Sequence, residues 1–312
     1  MLAKKKLTLM GTIIDVQIES DKATQQLQTV IDLLHTYKNR FSANDADSEL
    51  MAVNQAAGVK PVNVHSDLLN LIQIGKTHSL SMPSNLNIAI GPLVQTWRIG
   101  FEDARVPNHS LISRQLALTD PKQVIIDDKE QTVFLQQAGM ALDLGALAKG
   151  YIADKIMAYL IRDGIDSALI NLGGNVLVHG PNPKRADAAF HVGIQKPGAK
   201  RGQHLGVIKI NNQSVVTSGI YERQLNVVGK HYHHLFDRKT GYPIETEMVS
   251  LTIVAPSSLT CELWTTRLFG LDSSMVITLL NTLDNVEGLL VTRKHHVLMS
   301  NVLKHYFQPY YH

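Results

Sequence analysis

Cysteine is nearly absent from this chain, because Cys261 is the only one among its 312 residues. A single cysteine excludes an intramolecular disulfide, so packing must supply the stability of the fold. Long apolar runs are absent as well, and no stretch approaches the roughly 18 residues that a membrane-spanning helix needs. The composition therefore excludes both a disulfide-stapled domain and a membrane-spanning protein.

A strong charge imbalance is also missing. The chain has 30 Lys and Arg against 27 Asp and Glu, for a net charge of +3. This excess is too small to indicate nucleic-acid binding, and no basic stretch interleaved with aromatic residues is present. Hydrophobic residues make up 44% and charged residues 18%, as in a globular protein with a real core. Without an internal repeat or a linker, we expect residues 1–312 to form one unit of two interlocked lobes.

The start of the chain has little of a secretion signal. Lysines occupy positions 4–6, but the segment 7–18 is interrupted by polar residues and has no small-residue cleavage site. No cysteine nearby offers a site for lipid attachment. The segment 7–18 is therefore predicted to be a first strand with a central glycine. We expect a cytoplasmic protein, the alternative being an exported or membrane-attached form of a longer chain.

Hydrophobic periodicity predicts an α+β fold. Apolar residues at helical spacing indicate helices, and alternation indicates strands, with a turn at residues 91–92 (Gly-Pro). The predicted helices cover residues 22–38, 66–79, about 146–162, 258–268 and 273–283. The predicted strands cover residues 7–18, a hairpin over 123–136, 168–178 with a break at 173–174, 191–195, 206–210, 214–217 and 249–254.

Residues 143–150, DLGALAKG, place a glycine turn at the start of a helix. Such a turn directs backbone N–H groups and the positive helix end outward, which suits a pyrophosphate, and Lys149 adds a positive charge. Gly145 and Gly150 would let a ligand approach the backbone. By itself this turn is better explained by strand-to-helix geometry. A second polar break, residues 171–175, makes a backbone-lined cleft more plausible.

Histidines cluster at residues 231–234, HYHH, before the turn-forming residues 237–243. A zinc site there is weakly supported, because no cysteine or acidic residue has ligand spacing. His233 and His234 lie on opposite faces if this segment is a strand, so at most one faces a site. Glu262 and Thr266, four residues apart on a predicted helix, share a face and offer hard oxygen ligands for Mg²⁺. A helix-capping role for Glu262 is the competing interpretation.

Taken in order, these motifs resemble the FAD:protein FMN transferase (ApbE-type) family over about residues 7–270. The motifs are MGT at 10–12, NIAIGPL at 87–93, DLGALAKG at 143–150, NLGG at 171–174, SG at 218–219, HLFDRKTGYP at 234–243 and ELWTT at 262–266. The resemblance implies two α+β lobes with FAD in the cleft between them. It implies flavin contacts from Met10, Phe41, Asn85, Leu86, Asn87, Gly145, Lys149, Tyr151, Phe236 and Thr265, and Mg²⁺ ligands from Ala148, Glu262 and Thr266.

The implied reaction joins FMN, through a phosphoester, to a Ser or Thr hydroxyl of an acceptor flavoprotein and releases AMP. His234 is the candidate general base, with Asp237 three residues later to orient it. The sequence departs from the common family pattern in having Glu at 262 for Asp, and Leu86-Asn87 for Phe-Asp.

Two alternatives use the same residues. A Mg²⁺-dependent FAD pyrophosphatase would give the phosphate to water, and a flavin-binding or delivery protein would catalyse nothing. A metal site and a base favour an enzyme, because a carrier needs neither.

Overall fold

The computed structural model describes residues 1–200, 202–227 and 229–310 and confirms an α+β fold. The helices are α1 (Ala23–Phe41), α2 (Glu49–Gln55), α3 (Ser66–Leu80), α4 (Gly91–Trp97), α5 (His109–Leu116), α6 (Ala148–Arg162), α7 (Ser258–Leu268) and α8 (Ser273–Leu280). The strands are β1 (Leu2–Leu9), β2 (Thr12–Glu19), β3 (Val62–Asn63), β4 (Val124–Asp127), β5 (Thr132–Leu135), β6 (Ser167–Leu172), β7 (Asn175–His179), β8 (Phe190–Gln195), β9 (His204–Ile210), β10 (Ser214–Gly219), β11 (Gln224–Val227), β12 (Lys230–His233), β13 (Met248–Ala255), β14 (Glu287–Thr292), β15 (Val297–Met299) and β16 (Phe307–Pro309).

The largest sheet has eight antiparallel strands in the order β1-β2-β6-β7-β10-β13-β14-β15. Its first two strands correct the prediction of one strand over residues 7–18. Met10 and Gly11 both have positive φ, +53° and +68°, so they form a two-residue turn that reverses the chain. Strand pairing then continues from Leu9 opposite Thr12. The apolar pattern continues through both strands, and this hides the reversal.

Helices α1 and α6 cover one part of this sheet, and their apolar faces meet the inward side chains of β2 and β6. Val30, Leu34, Ile152 and Ile156 are fully buried in this core. Helix α7 packs against α6 on one side and against β10 and β13 on the other. The packing therefore brings the N-terminal parts of α6 and α7 together.

Several local predictions were confirmed and others were wrong. Ser257 caps α7 by accepting a hydrogen bond from the Thr260 N–H, as the Ser257-Ser258 pair indicated. The Gly91-Pro92 pair begins α4 instead of forming a turn, because proline is well tolerated in the first helical turn. Helix α2, with Ser48 as its cap, lay outside the predicted elements. The short strands β11, β14, β15 and β16 also lay outside the predicted elements.

Three smaller sheets accompany the main one: β16-β9-β8, β3-β5-β4 and the hairpin β11-β12. Strand β8 is an edge strand of its sheet. Within the residues described here, no helix is long and apolar enough to cross a membrane.

Candidate active site

A cleft of about 1720 Å³ collects most of the predicted site residues. Its wall includes the β1–β2 turn, the glycine turn before α6, the β6–β7 turn and one side of α7. Thirteen of the fifteen predicted residues line it, namely Met10, Phe41, Asn85, Leu86, Asn87, Gly145, Ala148, Lys149, His234, Phe236, Glu262, Thr265 and Thr266. Tyr151 and Asp237 are absent from the wall. Segments far apart in sequence thus meet around one space.

Helices α6 and α7 cap each other at the bottom of this cleft. The carboxylate of Asp154, on α6, accepts hydrogen bonds from the N–H groups of Ser258 and Leu259 at 2.8 and 2.9 Å. In return Glu262, on α7, accepts from the Gly150 N–H at 2.6 Å. Each carboxylate therefore satisfies donors that the other helix leaves unpaired at its N-terminus. This exchange fixes the position of Glu262 relative to the start of α6.

Gly150 is required for the close approach of these two helices. A Cβ added there would lie 2.7 Å from the Ser258 carbonyl oxygen and 2.8 Å from the Glu262 carboxylate. The sequence predicted that this glycine leaves room for a ligand, and the structure corrects this, because α7 occupies that space. Gly145 differs, since an added Cβ would meet only the Asp143 carboxylate, at 3.0 Å.

The N-terminus of α6 has no side-chain cap of its own. The expectation that all N–H groups from 145 to 150 contact a diphosphate needs correction. Gly145 donates to the Asp143 carboxylate at 2.8 Å, and Ala148 donates to the Leu144 carbonyl at 2.8 Å. Among the described residues no acceptor contacts the N–H of Ala146 or that of Lys149. These two donors and the positive end of the helix are what the turn offers an anion.

Glu262 is 3% exposed, and its second carboxylate oxygen lies 3.0 Å from the Lys149 ammonium. Burial raises the pKa of the Glu262 carboxyl, while the charge of Lys149 and the Gly150 N–H oppose that rise. Thr266, one turn further along α7, and Ala148 also line the cleft. Within the described part of the chain no three His, Cys, Asp or Glu side chains converge as a metal cluster. An oxygen set of one carboxylate, a hydroxyl and a carbonyl suits Mg²⁺, which seldom has a complete protein cage.

His234 faces the cleft, and His233 is turned away from it. The Nδ1 atom of His234 lies 3.4 Å from the Arg223 carbonyl oxygen. Because a carbonyl only accepts, this contact assigns the proton to Nδ1 and leaves Nε2 as the basic nitrogen. Burial and the Arg223 charge lower the pKa of His234 to about 4, so its imidazole is neutral at pH 7.

His233 is 6% exposed, and the backbone engages both of its ring nitrogens. Its Nε2 lies 2.9 Å from the Ile244 carbonyl oxygen, and its Nδ1 lies 3.3 Å from the Leu235 nitrogen. Asp237 does not contact His234. Its carboxylate accepts from the Lys239 N–H at 2.7 Å and stabilises the turn that follows. The Arg223 carbonyl, and not Asp237 as predicted from the sequence, is the group that orients the His234 imidazole.

Aromatic side chains give the cleft its apolar wall. Phe41 stacks on Tyr37 with ring centroids 5.5 Å apart, and Phe236 packs against Trp97 at 6.0 Å. Tyr151 lies behind Phe41, at 5.7 Å edge to face, and its hydroxyl donates to the Asp67 carboxylate at 3.1 Å. In this structure Tyr151 supports Phe41 from outside the cleft.

Three polar residues of the predicted flavin contacts already have partners in the protein. The Asn85 amide donates to the Phe269 carbonyl at 2.6 Å, and the Asn87 amide donates to the Thr119 carbonyl at 2.8 Å. The Thr265 hydroxyl donates to the Glu262 carbonyl at 3.0 Å. These hydrogen bonds fix the shape of this part of the wall.

Two important residues were missed as site components. Arg223 was not a predicted site residue, because no local signal marks its carbonyl as the partner of His234. Asp154 was not predicted either. The residues that donate to its carboxylate are more than 100 positions away in sequence, so no local pattern predicts that Asp154 caps α7.

Comparisons with known proteins identify the family. The model of the ApbE family matches residues 10–290. A Klebsiella pneumoniae (strain 342) protein, FAD:protein FMN transferase, is 41% identical over 302 residues, covering 96% of this chain and 92% of that protein. A Treponema pallidum (strain Nichols) protein of the same name is 35% identical over 298 residues, covering 91% and 82%.

The fold is shared with a solved ApbE protein from Thermotoga maritima. Its crystal structure superposes with a TM-score of 0.87 at 25% identity, covering 99% of this chain and all of that one. The resemblance drawn from the ordered motifs is thus confirmed. This chain belongs to the ApbE family of flavin transferases and is an enzyme.

Proposed function

We propose that this protein transfers FMN from FAD to a Ser or Thr hydroxyl of an acceptor protein, with Mg²⁺, and releases AMP. The observation that carries the proposal is the meeting of three groups in one cleft. These are the neutral imidazole of His234, the N–H groups of Ala146 and Lys149 at the start of α6, and the Glu262–Thr266 face of α7. They supply a base, an anion site and hard oxygen ligands. The name of the relatives, FAD:protein FMN transferase, supports the transfer of FMN from FAD to a protein.

His234 acts as the general base. Its Nε2 removes the proton from the acceptor hydroxyl, and the resulting oxygen attacks the phosphorus of the FMN half. The new oxygen–phosphorus bond forms as the bond between this phosphorus and the AMP oxygen breaks, and AMP leaves with its electron pair. The low pKa of His234 keeps its imidazole unprotonated at neutral pH, so that it can accept a proton. The same low pKa makes it a weak base.

Mg²⁺, when bound, neutralises negative charge on the diphosphate and on the leaving AMP. Glu262, Thr266 and the Ala148 carbonyl would hold it. Glu262 suits this role because its buried carboxylate already faces a cation, Lys149, at 3.0 Å. The longer side chain of Glu, compared with Asp, reaches the start of α6 while one oxygen remains on the Gly150 N–H.

The flavin would lie against Phe41, Phe236 and the 85–87 segment, with the diphosphate near Ala146 and Lys149. Apolar walls with a few fixed polar groups are typical of cofactor pockets. The prior bonding of Asn85 and Asn87 keeps this wall rigid before the ligand arrives.

Mass spectrometry tests the transfer directly. A candidate acceptor flavoprotein is incubated with this protein, FAD and Mg²⁺, and intact mass is compared with a sample lacking the enzyme. An added mass of one FMN less one water on the acceptor, with stoichiometric AMP, is the expected result. AMP and free FMN without modification of the acceptor would instead identify a pyrophosphatase.

Glu262→Gln tests the metal site. We expect EDTA to abolish transfer in the wild type and added Mg²⁺ to restore it. The variant keeps an oxygen for the Gly150 N–H but loses the charge, so its turnover should fall about 100-fold or more. Its melting curve should change little. Full Mg²⁺-dependent activity in this variant would favour the purely capping role of Glu262.

A further inference from the structure

The cleft continues past the proposed site along the edge of a second sheet. Five consecutive residues of β8, positions 191–195, line it, and so do Ala199, Gly202 and His204. Successive side chains of a strand point to opposite faces. Since residues of both faces border the cleft, the strand presents its outer edge to it.

The hydrogen-bond register identifies the groups on that edge. The backbone N–H of Lys209 donates a hydrogen bond of 3.2 Å to the segment that forms β16. The backbone carbonyl of Leu205 accepts one of 2.8 Å from the same segment. The residues of β9 that alternate with these two therefore direct their backbone N–H and C=O groups toward β8. There they pair with positions 190, 192 and 194. The N–H and C=O groups of His191 and Gly193 consequently point outward. Among the described residues none forms a hydrogen bond with these groups.

The stretch of sequence that contains this edge is strongly basic. Residues 184–209 contain six Lys or Arg and one Asp, a net charge of +5 in a chain whose total is +3. Lys196 and Lys200 are exposed on the loop that joins β8 to β9. An acidic segment complements this field, and a basic one is repelled by it.

The cleft is also larger than the usual pocket for one small ligand. Pockets for drug-sized ligands usually measure about 300–1000 Å³, whereas this cleft measures about 1720 Å³. Residues of β8 line part of this space, which leaves room for a second, extended partner beside the first ligand.

We propose that β8 binds the acceptor protein by strand addition: the acidic, extended segment that carries the modified hydroxyl pairs with the outer edge at His191 and Gly193. This inference rests on the proposed transfer to a protein hydroxyl and assigns where that protein docks. Main-chain pairing of this kind gives affinity with little demand on the partner's sequence, and the lysines select its charge.

A matched pair of substitutions at position 191 tests the edge. His191→Pro removes the outward N–H without breaking a bond to β9, and edge strands tolerate proline there. His191→Ala keeps the backbone N–H. Like the proline variant, it removes the imidazole and its exposed contact with Asp187, which is 2.8 Å long.

The probes are two fluorescein-labelled peptides of about ten residues, long enough to pair with a strand. Each has one central Thr between β-branched residues, and one has Asp flanks, the other Lys flanks.

Fluorescence anisotropy should show the Asp peptide binding to wild type more tightly than the Lys peptide, with affinity falling as salt rises. His191→Pro should weaken binding about tenfold, because one main-chain hydrogen bond is lost, while His191→Ala stays close to wild type. The double variant Lys196→Gln/Lys200→Gln should weaken it about threefold. The matched control Lys122→Gln/Lys129→Gln, around a different hairpin, should not.

Equal binding of both peptides, or equal affinity in the two position-191 variants, would overturn the proposal. A dimer that His191→Pro converts to monomer would also overturn it, because a second copy would then occupy the edge. AMP release from FAD is measured on the same proteins, and peptide binding needs no turnover. A failed docking site and a failed transfer function therefore give separate results.

Discussion

The Lys149 ammonium lies 3.0 Å from the Glu262 carboxylate, at the start of the proposed metal site. This ion pair gives the buried carboxylate a positive partner, without which burial would make its charge costly. Lys149 is 31% exposed as a side chain, so it can move to a phosphate when the cleft fills. In the proposed site, the metal and Lys149 would therefore compete for the same carboxylate oxygen.

The competition predicts that Lys149→Met binds Mg²⁺ more tightly than wild type when FAD is absent. Removing the competing cation should improve affinity about tenfold, or roughly 1.4 kcal/mol. The same variant should bind FAD more weakly, because a charge near the diphosphate is lost. Isothermal titration with each ligand measures both effects.

Lys155→Met is the matched control for this prediction. Lys155 lies on the same helix but pairs with Asp67, at 2.6 Å. Its substitution should leave Mg²⁺ affinity unchanged. Unchanged or weaker Mg²⁺ binding in Lys149→Met would show that Lys149 does not compete with the metal.

The two adjacent histidines should respond differently to alanine. His234→Ala removes the proposed base, so transfer should slow by about 10²–10⁴-fold with FAD affinity nearly intact. His233→Ala leaves the Ile244 carbonyl and the Leu235 N–H without partners, which should cost about 1–3 kcal/mol of stability. Single-turnover transfer, FAD titration and urea unfolding on both variants separate the roles. If His233→Ala is the slower catalyst per folded molecule, the assignment of the base is reversed.

The lowered pKa of His234 predicts the pH profile. The active form is the neutral imidazole, and a pKa near 4 means that it persists well below the usual histidine value of about 6.5. The kcat/KM for FAD, which reports the free enzyme, should therefore stay flat from pH 8 to about 5 and fall only as pH approaches 4. A half-maximal rate near pH 6.5 would contradict this environment for His234.

Part of this architecture was predictable because it depends on local rules. The alternation of a strand was enough to put His233 and His234 on opposite faces, and the Ser257-Ser258 pair was enough to begin α7. The ordered motifs were enough to identify the family. These signals lie within a few residues of the features that they specify.

The remainder depends on tertiary contacts. The Met10-Gly11 reversal was missed because apolar residues continue through both strands. The partner of His234 is the Arg223 carbonyl, and any residue type supplies a carbonyl, so no side-chain pattern reveals it. The ligand space expected at Gly150 is filled by α7, which comes more than 100 residues later in the chain.

The close helix contact at Gly150 leads to a stability prediction that also affects the metal site. In Gly150→Ala the new methyl group would lie 2.7 Å from the Ser258 carbonyl oxygen, so α6 and α7 must separate. Such overpacking typically costs about 1–3 kcal/mol. Separation also lengthens the Gly150–Glu262 hydrogen bond, so Mg²⁺ affinity should fall together with stability. Gly145→Ala is the control, because its methyl group meets only the Asp143 carboxylate, at 3.0 Å. Thermal melts with and without Mg²⁺ decide the matter: a Gly150→Ala protein as stable as Gly145→Ala, with the same Mg²⁺ response, would show that the two helices can separate without cost.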